Sequence, residues 1–140
     1  MNESNEDKIL DLKQQLQEHQ YVANLARSKM KADMEVSKKE QSIECLTFDL
    51  QKTLPLPRLA TNIIFYKRQL WVYNLGVHSA KRNQGNCMIW VEGEAGRGAQ
   101  EVGSCLYKYI INNVGAGIEE LRLWSDSCGG QNRNIKLVRK

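Results

Sequence analysis

Two strand-like runs in this chain each close on an aspartate, and what lies between them constrains the fold more than any other feature. The first is Ile-Glu-Cys-Leu-Thr-Phe-Asp-Leu at 43–50, and the second is Leu-Arg-Leu-Trp-Ser-Asp at 121–126. Their aliphatic, β-branched and aromatic side chains suit a pleated surface. Between them, the stretches 69–77 (Gln-Leu-Trp-Val-Tyr-Asn-Leu-Gly-Val) and 87–92 (Cys-Met-Ile-Trp-Val-Glu) flank a polar turn at 81–86, the pattern of a hairpin. From Gly98 onward Val102, Leu106, Tyr109 and Ile110 recur at helical spacing, and Gly115 with Gly117 predicts the stop. The order is therefore strand, strand, strand, helix, strand. A strand reached through a helix joins a sheet in parallel by a right-handed crossover, which leaves the helix on one face. The expected fold class is α/β, a β-β-β-α-β mixed sheet in which the last strand returns beside the first.

Upstream, the chain has no proline or glycine through Leu54, and positions 9–40 are dominated by good helix formers. A long helix is predicted, with Ser4 and Asp7 as an approximate capping box. Ile9, Leu12, Leu16, His19, Ala23, Ala26 and Met30 alternate at steps of three and four, the spacing of a coiled-coil seam. Two units follow: residues 1–42 as the long helix, and 43–140 as the α/β unit. The seam predicts self-association or a helical protein partner through residues 6–40. Pro55 and Pro57 argue against a central strand continuing beyond Thr53.

Composition narrows the function classes. With 140 residues and 41% hydrophobic content the chain holds a single modest core. No apolar run nears the ~20 residues of a membrane span, and the polar, acidic start lacks a secretory pattern, so an intracellular protein, nuclear or cytoplasmic, is expected. Cys45, Cys87, Cys105 and Cys128 form no C-x-x-C pair, which favours reduced thiols over a disulfide framework or zinc site. Charge is uneven: residues 1–44 carry seven basic and nine acidic side chains, residues 45–140 thirteen and seven. Between 52 and 91 stand Lys52, Arg58, Lys67, Arg68, Lys81 and Arg82 with no acid, a stretch suited to phosphates.

The aspartates carry the chemistry. Strand alternation sets Leu46, Phe48 and Leu50 on one face and Cys45, Thr47 and Asp49 on the other, so Asp49 shares its face with small side chains. If the last strand lies against the first, Asp126 becomes the neighbour of Asp49, and two carboxylates there make a site for a divalent cation. The plain structural alternative is that Asp49 ends a strand and Asp126 caps the segment after it.

The segments Leu46-Thr-Phe-Asp-Leu-Gln-Lys-Thr-Leu-Pro-Leu-Pro57, Tyr66-Lys-Arg-Gln-Leu-Trp-Val-Tyr-Asn-Leu-Gly76 and Asp126-Ser-Cys-Gly-Gly-Gln-Asn-Arg-Asn134 resemble a transposon-derived family of animal proteins with a DDE-transposase-like, RNase H-like domain. The resemblance covers about residues 19–138. It implies that Asp49 and Asp126 correspond to the first two metal-binding, catalytic acids, that the cofactor is Mg²⁺ and that the partner is DNA. Lys67, Arg68, Lys81, Arg82, Gln131, Asn132 and Arg133 are then the candidate nucleic-acid contacts. The family's third acid comes from a later helical region, and no residue here takes that role. Glu92 and Glu94 stand on a strand expected to lie away from the aspartates. A two-carboxylate remnant predicts weak metal binding and little or no phosphodiester cleavage or strand transfer.

Other features have simpler accounts. Gly93-Glu-Ala-Gly-Arg-Gly98 fits neither a dinucleotide nor a P-loop spacing and predicts a turn. Alternation assigns Trp71 and Tyr73 to the core rather than to base stacking. Cys128 lacks an identified histidine partner. The expectation is a truncated or domesticated transposase-derived domain. Its alternatives are a non-catalytic interaction protein acting through the N-terminal helix, and an incomplete gene product.

Overall fold

The computed structural model describes residues 3–57 and 68–126. Helix α1 (Glu3–Lys39) leads into β1 (Ile43–Leu50) and the short β2 (Leu54–Leu56). Then come β3 (Leu70–Ser79), β4 (Gln84–Val91), α2 (Ala99–Asn113) and β5 (Glu120–Trp124). Central β3 pairs antiparallel with β4 along one edge and with β1 and β2 in turn along the other, and β5 lies parallel to β1. The predicted return of the last strand to the first is therefore found, through α2. Among the described residues no helix is long and apolar enough to cross a membrane.

Three details differ from expectation. A fifth strand, β2, contains Pro55; it is tolerated because β2 is three residues long and pairs with β3 on one side only. The hairpin turn is shorter than the polar run suggested, because Asn83 adopts φ 50°, a left-handed conformation that asparagine accommodates, and β4 starts at Gln84. Ser4 lies inside α1 rather than before it.

The main core lies on one face. Leu46, Phe48 and Leu50 of β1, Leu75 and Val77 of β3 and Trp90 of β4 pack against Val102, Leu106 and Tyr109 of α2. Tyr73 joins them, its ring 5.6 Å from that of Trp90. Trp71, expected beside it, is 41% exposed, because it opposes Pro55 on the short β2 rather than the core strand β1. The glycine-rich stretch before α2 is a turn: Trp90 Nε1 donates to Gly96 O (2.8 Å), and the Gly98 N–H donates to Glu101 (3.0 Å), which starts the helix.

Among the described residues, the opposite face meets the end of α1. Asp33 accepts hydrogen bonds from Arg122 Nη1 (2.8 Å) and Trp124 Nε1 (3.1 Å) of β5, and Ser37 Oγ accepts one from the Cys45 N–H (3.0 Å). Ser37 is fully buried there, whereas residues 7–22 are all exposed. The docked line of Met30, Asp33 and Ser37 continues the three-four spacing of the seam. Its last turns lie on the sheet, and the rest projects from it.

Candidate carboxylate groove

On the α1 side of the sheet, alternation gathers the odd positions of β1 with the even positions of β3 and β5. Register sets Thr47 between His78 and Trp124, and pairs Asp49 with Gly76, which in turn pairs with Cys87. The β1–β5 register ends at the pair of Thr47 with Trp124, and Asp126 follows two residues later, just beyond the strand. Both aspartates are exposed, and both line one groove of about 600 Å³. Met30, His78, Cys87 and Trp124 share its wall.

The groove exists because little fills it. Gly76 and Gly85 contribute no side chain; a Cβ at Gly76 would meet only the Asp49 carbonyl oxygen, at 3.8 Å, and one at Gly85 nothing within 4 Å. α1 reaches over β1 and β5 but sends only Met30 to the rim. Asp33 holds the Trp124 indole by its Nε1, which sets the wall beside Asp126. Arg122 points to Asp33 and Glu120 (2.8 and 2.5 Å), and those bonds raise its already high pKa, Glu120 contributing most. This cation is engaged with α1 and its own strand.

Among the described residues no group of three or more His, Cys, Asp or Glu side chains is arranged to hold a metal ion. Glu92 and Glu94 stand apart, as expected: Glu92 is 3.7 Å from Arg68, and Glu94 accepts from the Val91 N–H (3.1 Å) at the far end of β4. The donor set is two hard carboxylates. Magnesium uses one or two such groups while keeping waters and adding phosphate oxygens, so the set suits that ion.

Among the described residues, the basic candidates Arg68, Lys81 and Arg82 do not line the groove. Lys81 Nζ donates to Gln41 O (2.6 Å) just before β1, and Arg82 donates to Asn113 O at the end of α2. Arg68 is exposed beyond the start of β3. Lys67, Gln131, Asn132, Arg133 and Cys128 lie outside the described residues. Sequence reasoning missed His78 and Trp124 as groove residues. The strand was ended at Val77, one residue before the parity of Asn74 and Gly76 would have placed His78 beside Thr47.

Two thiols have raised pKa values. Burial pushes up Cys45, helped by the charges of Asp33 and Glu44, and burial likewise raises Cys105. Cys87 is exposed. No family model matches this chain, and no curated protein or solved structure is significantly similar to it.

Proposed function

We propose that the groove is the divalent-cation site of an RNase H-like, transposase-derived domain that associates with nucleic acid and has little or no cleavage activity of its own. The observation that carries this reading is that Asp49 and Asp126 line one open groove, where the paired strands β1 and β5 end. The strand plan is compatible with it: β1, β3 and β4 run antiparallel in succession, α2 follows and β5 returns parallel to β1, the order that the sequence pattern predicts. Asp49 and Asp126 would hold Mg²⁺, an ion that one or two carboxylates can bind while it keeps water and takes phosphate oxygens. Bound there, the ion supplies charge stabilisation at a phosphate. With two carboxylates the affinity is low and turnover slow.

Calorimetric titration with Mg²⁺, and with Mn²⁺ as a spectroscopic substitute, tests it. Wild type should bind weakly, in the roughly millimolar range, and Asp49→Asn and Asp126→Asn should each reduce affinity about tenfold or more. Equal affinity in all three proteins sinks the proposal. A parallel measurement of DNA binding against salt should give a falling affinity whose slope counts the phosphates met.

A second reading is favoured by one observation. Ile9, Leu12 and Leu16 on the projecting part of α1 are all more than half exposed, which suits a helical partner. Helical self-association without DNA affinity would select that role over the first.

A further inference from the structure

We infer that β4 is a self-complementary edge through which two copies of this chain join their sheets, aligning the two carboxylate grooves on one side of a continuous sheet. Among the described residues, backbone bonding shows which groups of β4 have no partner. The Glu92 N–H donates to Trp71 O (2.9 Å), so residue 92 faces β3, and by alternation so do residues 90, 88, 86 and 84. The N–H and C=O groups of Gly85, Cys87 and Ile89 therefore point outward. Val91 would be next, but Glu94 takes its N–H, and its carbonyl accepts from the N–H groups of Glu94 and Ala95. The open edge is thus three residues centred on Cys87.

One register satisfies all of it. An antiparallel copy centred on Cys87 pairs Gly85 with Ile89 of the second copy, Cys87 with Cys87, and Ile89 with Gly85, forming about six backbone hydrogen bonds. Side chains agree with that register. Ile89 is 66% exposed and lands opposite Gly85, where a side chain would meet nothing within 4 Å. Native edges are normally protected by charge, proline or a bulge. From Gln84 to Val91 the strand has no charged residue and no proline, and its pairing with β3 runs without a break. Of the other outer strands, β5 carries Glu120 and Arg122, and the short β2 carries Pro55.

Strand pairing alone covers less than the roughly 1,000 Å² a specific interface needs. The remainder comes from the hollow between β4 and α2, about 670 Å³ and lined by Met88, Cys105 and Lys108, which then opens onto its twofold mate instead of water. Pairing also has a consequence for the groove. Asp49, Gly76 and Cys87 lie in one row across the sheet, so the two Asp49 sites fall on the same face, five strand spacings or about 24 Å apart.

Sedimentation equilibrium of the full chain tests the inference, with Ile89→Lys, Ile89→Pro and the helix variant Leu12→Glu/Leu16→Glu as comparisons. The wild type should dimerise. Ile89→Lys and Ile89→Pro should raise the dissociation constant about tenfold or more, while the helix variant keeps it. A wild type that stays monomeric, or a dimer lost only in the helix variant, overturns the inference. Independently of any effect on folding, a short bis-maleimide added to Cys105→Ser/Cys128→Ser should link two chains through Cys87. Failure to form that cross-link in a dimeric sample also overturns it.

Discussion

The two faces of this sheet are made from the same strands by alternation, yet they have opposite fates. On one, Leu46, Leu75, Val77 and their neighbours are closed over by α2. On the other, glycines at 76 and 85 and exposed Asp49 leave a groove that α1 only overhangs. The first face supplies the stability that lets the second go unfilled. A sheet with one covered face can keep charged groups at strand positions, where packing would otherwise exclude them.

The sharpest way to break this contrast is to truncate both sides. Leu46→Ala, at a fully buried position, should cost about 3–4 kcal/mol in denaturant unfolding. Gly76→Ala, at the groove floor, should be neutral or gain up to about 1 kcal/mol, because the new methyl meets only an ordinary contact. A loss above about 2 kcal/mol at Gly76 would mean the groove is in fact packed. Next in size is the docking of α1. Asp33→Ala removes acceptors for Arg122 and Trp124 and should cost about 1–2 kcal/mol, read as faster amide exchange in residues 30–39. The cation effect is of similar or smaller size: in Mg²⁺ at about ten times its dissociation constant, the wild type should gain about 1.4 kcal/mol and the Asp49→Asn and Asp126→Asn variants about 0.4 kcal/mol or less. The smallest effect is kinetic. Because burial and the charges of Asp33 and Glu44 raise the Cys45 pKa, its thiol stays protonated at pH 8, and alkylation should label Cys87 first and Cys45 only on unfolding.

Much of this architecture was legible because it rests on local periodicity. The two-residue alternation of 43–50 separated core positions from Asp49, and the three-four spacing after Gly98 announced α2. The relation between Asp49 and Asp126 followed from connection rules rather than from either residue. What stayed hidden depends on long-range partners. Asp33 lies beyond the seam that sequence spacing ends at Met30, and its partners Arg122 and Trp124 are 89 and 91 residues away. Lys81 and Arg82 resembled a phosphate patch because charge density shows in sequence, whereas the carbonyl oxygens they satisfy do not.

Those two cations also decide where the molecule yields. Lys81 fastens the hairpin turn to the chain entering β1, and Arg82 fastens it to the finish of α2. Glu44 and Ser79 are bonded to each other in the same buried corner. The pole of the domain away from the acids is therefore fastened on two sides, to the entry of β1 and to the finish of α2.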